Sequence, residues 1–190
     1  MKRTLLLLTA VLTFLLLNIT SNAQFNYIGG GIALATGGEY EFKENLYYNN
    51  TFGIDLRASY NINKKYKLVP DIKFYLPKKE SFEGTGGESK TTVVAFNLNL
   101  HYITNPRKDY KLYLLAGAHV GGWIIKDNHI PAVGPQDPLD INEFKIVPGG
   151  NVGGGMQFNV GNRTLFYAEI KYVISKAHQL VFSPGLIYEF

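Results

Sequence analysis

Apolar and polar residues alternate along most of this chain, and the parity of the alternation is the same in segment after segment. Even positions carry Ile54, Leu56 and Ala58; Ile72 and Phe74; Phe96, Leu98 and Leu100; Leu112, Leu114 and Ala116; Phe166, Ala168 and Ile170. Odd positions carry Asp55, Arg57 and Ser59; Asp71 and Lys73; Asn97, Asn99 and His101; Gln157 and Asn159; Glu169 and Lys171. Side chains two apart share one face of a strand, whereas a helix repeats every 3.6 residues or so. The pattern predicts an all-β chain of eight strands, at 25–36, 51–61, 66–76, 91–103, 110–126, 144–160, 164–175 and 179–190. Most exceed the five or six residues usual in soluble sheets and suit a tilted bilayer crossing of about 9–11 residues.

The connections alternate in length. Short turns fall at 62–65, 104–109 and 161–163, and long polar loops at 37–50, 77–90 and 127–143; the last connection, near 176–178, is short. Successive connections of an antiparallel meander lie at opposite ends, so nearly all long loops gather at one end, as in outer-membrane barrels with short periplasmic turns. Two arrangements fit the alternation: an apolar face lining a soluble barrel, or an apolar face against lipid. Aromatic placement favours lipid. Each short turn is flanked by even-numbered rings, Tyr60 and Tyr66, Tyr102 and Tyr110, Phe158 and Phe166, and such rings belt a membrane interface.

The amino terminus reads differently. Lys2 and Arg3 precede an apolar run over 5–17 and a polar stretch ending Ser21-Asn22-Ala23, the layout of a cleaved signal peptide. The run is too short for the roughly 20 apolar residues of a membrane-crossing helix. Residues 1–23 are therefore expected to be removed, leaving one barrel domain over 24–190. Losing Lys2 and Arg3 lowers the formal charge of +4 to about +2, too little to argue for nucleic acid. The chain has no cysteine, so an exported protein of this kind must rely on a large core or on a closed hydrogen-bonded sheet in lipid.

The chain ends Ser183-Pro184-Gly185-Leu186-Ile187-Tyr188-Glu189-Phe190. A polar residue, a glycine two later, alternating aromatics and a terminal phenylalanine closely resemble the carboxy-terminal assembly signal of bacterial outer-membrane proteins, here Ser183, Gly185, Tyr188 and Phe190. With eight strands, the chain resembles the small outer-membrane barrels of the OmpA and OmpX type. The resemblance implies an eight-stranded antiparallel up-and-down transmembrane β-barrel, delivered through the periplasm, inserted by the barrel-assembly machinery and surrounded by outer-membrane lipid. No peptidoglycan-binding domain follows the barrel, so no cell-wall anchoring is expected.

With even residues toward lipid, the odd charges point inward: Asp55, Arg57, Asp71, Lys73, Lys111, Glu169, Lys171 and Glu189. So small a barrel is filled by side chains, and buried charges are tolerable only when paired; the expectation is a hydrogen-bonded interior charge network rather than a channel, with an ion path as the alternative. His101 and His119 share the inward parity without metal-ligand spacing, and no metal or cofactor is expected. Ser175 and His178 invite comparison with barrel enzymes that trim lipid, but no motif surrounds them and no catalysis is expected. The glycines at 29–31, 121–122, 149–150 and 153–155 form no GxGxxG before a helix; they are expected to relieve crowding where a small barrel bends. Tyr40, Phe42, Tyr47 and Tyr48, among Glu39, Glu41, Lys43 and Glu44, are expected to form a solvated cap with the rings in an outer girdle, with a surface for a ligand at the long loops as the alternative. The functional expectation is a non-enzymatic outer-membrane barrel serving envelope integrity or surface binding. The alternatives are a lipid-modifying envelope enzyme and a soluble ligand-binding barrel.

Overall fold

The computed structural model of the protein describes residues 25–42, 45–48, 51–81, 88–106, 109–129 and 139–190. The expected signal peptide, 1–23, lies outside them. Among the described residues eleven strands run in chain order: β1 (Phe25–Gly37), β2 (Glu39–Phe42), β3 (Asn45–Tyr48), β4 (Phe52–Asn61), β5 (Tyr66–Tyr75), β6 (Lys78–Ser81), β7 (Glu88–Ile103), β8 (Tyr110–His129), β9 (Leu139–Asn159), β10 (Thr164–Ser175) and β11 (Gln179–Glu189).

Eight of these, β1, β4, β5 and β7 to β11, pair in sequence order, and the sheet closes where β1 pairs with β11, antiparallel throughout. β6 continues β5 beyond Pro77 along the same partner, pairing Lys78 with Thr91 and Ser81 with Glu88. Closure satisfies the backbone without an exposed edge, which is what an all-β structure needs where water is excluded. Proline cannot donate to the ladder, and the ladder lapses at two of them without changing register: at Pro70 between β4 and β5, and at Pro184 between β1 and β11.

The strands begin and end within a few residues of the alternation, with three differences at the loop end. The first long loop contains a small hairpin, Glu39 pairing with Tyr48 and Phe42 with Asn45. β7 starts at Glu88 rather than 91, and β8 and β9 stay paired out to His129 opposite Leu139. β9 meets β10 only from Gly149 onward, so Pro148 stands where β9 loses that neighbour and needs no donor on that side.

The short turns are closed by local hydrogen bonds. The Asn63 side-chain oxygen accepts from the backbone of Lys65 at 2.8 Å and Tyr66 at 3.0 Å, the turn role asparagine favours. Asn105 spans its turn in both senses, donating to the Tyr110 carbonyl at 2.9 Å and accepting from the Leu112 amide at 2.6 Å. At the opposite end, Gly37 and Gly38 take positive φ of 95° and 50°, a region disfavoured for residues with a Cβ. That lets the Gly38 amide donate to the His178 carbonyl at 2.7 Å.

Candidate functional site

Outside and inside of the barrel have opposite chemistry. The outward face is continuously apolar, with Ile54, Phe96, Leu114, Ile146 and Ile170 all about half exposed or more, up to 66% for Ile146. Patches of that size on soluble monomers are rare. At the short-turn end the rings form a belt. Phe25 sits opposite Tyr60, Tyr66 opposite Tyr102, and Phe158 between Tyr110 and Phe166. Ring centroids are 5.3 Å apart for Tyr66 and Tyr102 and 5.1 Å for Phe158 and Phe166.

The middle of the interior is a layer of paired charges. Arg57 binds Asp55 at 2.5 Å and Glu169 at 2.9 Å, and its guanidinium lies 3.9 Å over the Tyr167 ring. Lys73 reaches Asp55 at 2.9 Å and Asp71 at 3.4 Å, while Lys171 reaches Asp71 at 3.3 Å. Neutral donors add further hydrogen bonds to the acids. Asn97 and Asn99 donate to Asp71 at 2.7 and 2.8 Å, Tyr113 to Glu169 at 3.0 Å, and Tyr167 to Asp55 at 2.9 Å. Three acids face three bases, all under 6% exposed. Glycines make room for the two tyrosines: a Cβ on Gly31 or Gly185 would stand 2.7 or 2.6 Å from the Tyr167 hydroxyl, and one on Gly155 2.5 Å from that of Tyr113.

Six of the eight expected interior charges thus come together: Asp55, Arg57, Asp71, Lys73, Glu169 and Lys171. The other two stand apart at the short-turn mouth, where the interior opens to water. Glu189 is exposed and accepts from the Tyr27 hydroxyl at 3.0 Å, and Lys111 is half-buried. His101 stacks on Tyr113 with centroids 4.4 Å apart, its Nε2 3.7 Å from Glu169. The ring nitrogen Nδ1 of His119 lies 2.8 Å from the Asn97 side-chain oxygen. Among the described residues no group of three potential metal ligands forms. The Ser175 hydroxyl accepts from the Ala177 amide at 3.1 Å, and His178 is exposed.

Of the carboxy-terminal motif, Ser183 points inward and accepts from Lys73 at 3.2 Å, and Gly185 packs on Gly31. Tyr188 and Phe190 face outward, their rings edge to face at 5.9 Å. The Phe190 amide donates to the Asn26 carbonyl at 3.1 Å, joining the last residue to the first strand.

Toward the loop end the inward residues change character. Ala33, Ala35, Tyr75, Val93, Ala95, Trp123, Ile125, Val147, Val173, Ala177 and Val181 form one buried apolar cluster, with Tyr40 of the β2–β3 hairpin laid on it at 5.4 Å from the Trp123 ring. The expectation that odd positions are polar does not hold here. The apolar layer escapes a parity count because lipid-facing neighbours are apolar too, as in Val93-Val94-Ala95-Phe96. Of the loop aromatics, the side chains of Phe42, Tyr47 and Tyr48 lie outside the described set.

No protein-family model matches the sequence, and no curated protein matches it. Solved structures do share its architecture. The chain is similar to Neisserial surface protein A, with a TM-score of 0.62 at 15% identity, covering 88% of this chain and 98% of that one. The outer membrane protein OprG of Pseudomonas aeruginosa matches with a TM-score of 0.62 at 12% identity, over 86% and 94% of the two chains. Ail, the attachment invasion locus protein of Yersinia pestis, was crystallised with the heparin analogue sucrose octasulfate. It matches with a TM-score of 0.57 at 16% identity, over 87% and 97%. The fold is that of the small eight-stranded outer-membrane barrels.

Proposed function

We propose that the protein is exported by a cleaved signal over 1–23, inserted into the outer membrane with its short turns in the periplasm, and used there as a closed scaffold. Its loop end, raised by the extension of β7, β8 and β9, presents a binding surface outside the cell or contributes to envelope integrity. The observation that carries this reading is the inversion of chemistry across one sheet, an apolar outer face around a filled interior. A soluble barrel would need the reverse. A ligand at the loops is supported by Ail, a protein of the same fold crystallised with a polysulfated sugar, and by the paired strands that hold the loop end in shape. No catalytic role is assigned to Ser175 and His178.

The test is fractionation of cells expressing the protein, followed by electrophoresis with and without boiling. Recovery with the outer membrane and a mobility change on boiling are expected, because the ladder of a closed barrel resists detergent. Protein in the soluble fraction with one mobility overturns the proposal.

A further inference from the structure

Below the charged layer, at the short-turn mouth, the interior widens into a cavity of about 520 Å³ lined by Tyr27, Asn61, Lys65, Lys67, Ile103 and Lys111 among others. Its polar lining is one-sided in charge. Lys64 and Lys65 stand on the β4–β5 turn, Lys67 enters from β5, and Lys111 enters from β8. Lys67 is the informative one. It is 6% exposed, and its ammonium rests 4.3 Å over the Tyr27 ring. Lys111 lines the same cavity from β8, and the Glu189 carboxylate, bound to the Tyr27 hydroxyl, stands at the same mouth. Among the described residues no ion pair reaches any of the four lysines. In the layer above, by contrast, every base is matched by an acid.

A buried ammonium over a ring face, in a cavity shared with three further lysines, is a costly arrangement that a bound anion relieves. We propose that this mouth is a binding site for a phosphate group, as inorganic phosphate, a soluble phosphate ester or a phospholipid headgroup. Four lysines around one cavity suit a dianion rather than a single carboxylate. Lysines serve phosphates as mobile point charges. The cavity lies in the size range of small-ligand sites. This site is independent of any ligand at the loops.

The experiment uses the full barrel folded in an uncharged detergent and titrated with sodium phosphate, against sodium chloride at matched ionic strength, with binding followed by calorimetry and by nitrogen resonances of the lysine ammoniums. Saturable phosphate binding is expected, weakened at least about tenfold in the double variant Lys67→Gln with Lys111→Gln and within about twofold of wild type in Lys79→Gln at the opposite end. If that double variant loses its boiling-dependent mobility, Lys65→Gln with Lys111→Gln replaces it, with a loss of at least about threefold. A parallel titration in phosphatidylcholine nanodiscs with and without phosphatidic acid separates the sources. Competition by phosphatidic acid supports the lipid headgroup, and its absence supports a soluble phosphate. Phosphate indistinguishable from chloride, or equal affinity in wild type and in the folded lysine variant, overturns the proposal.

Discussion

The two halves of the barrel interior solve the same problem in opposite ways. At mid-barrel, Asp55, Asp71 and Glu169 meet Arg57, Lys73 and Lys171 in a layer of paired charge. Toward the loops, Trp123, Ile125, Val147 and Val173 fill the same bore with hydrocarbon. The polar layer is specific: each group needs its partner, and one missing partner leaves a charge stranded away from water. The apolar layer is forgiving, since its contacts are many, weak and exchangeable. The comparison therefore predicts that equal insults, one substitution each, have unequal consequences.

The largest effect is expected at the charged layer. Glu169→Ala removes the acceptor shared by Arg57 and Tyr113 and should cost about 3–5 kcal/mol, read as a shift of the urea midpoint for the barrel in micelles. Ile125→Val, which trims one methylene from the apolar layer, should cost about 0.5–1.5 kcal/mol in the same assay. A loss from Ile125→Val equal to that from Glu169→Ala would erase the distinction between the layers.

Deleting Phe190 comes next. The ring is 68% exposed and meets Tyr188 edge to face, a contact worth about 0.5–1.5 kcal/mol in water-soluble proteins. The deletion should leave folding into micelles nearly intact while lowering insertion in cells, if the terminal ring serves recognition by the assembly machinery. Normal insertion in cells beside failed folding in micelles would make Phe190 purely structural.

The smallest effect is expected at Glu88, outside the lipid-facing segment. A hydrogen bond from Lys79 and its charge hold this carboxyl below the usual carboxylate range. A carboxyl shifted down adds stability above its unfolded value and loses it as pH falls through the folded one. Because both Glu88 and Lys79 are exposed, water screens the pair. The urea midpoint of Glu88→Gln should track that of wild type from about pH 7 to pH 3. A midpoint that diverges as acid is added would show that this exposed pair carries stability.

The contrast between the layers also explains what the sequence reveals and what it hides. Strand positions, parity and turn lengths are legible because Asp55-Leu56-Arg57 and Asn97-Leu98-Asn99 change character at every step. The same parity points six charges inward, though not which carboxylate meets which base. Those pairings join residues as distant in sequence as Arg57 and Glu169, and register around a closed barrel sets them. Where both faces are apolar, as at Ile124 and Ile125, the alternation vanishes and the plug cannot be seen. Lys111 and Glu189 have inward parity but sit too near the short-turn end to join the network, because parity reports a face and not a depth. The β2–β3 hairpin is equally unannounced, since four-residue strands are too short for a periodic signal.

Among the described residues, two successive layers, one of paired charge and one of hydrocarbon, fill the bore, and this arrangement predicts no continuous water path. Single-channel recording of the purified protein in a planar bilayer tests this most directly. A quiet baseline is predicted, with at most brief, irregular events. Large, steady currents from folded wild-type protein would contradict it.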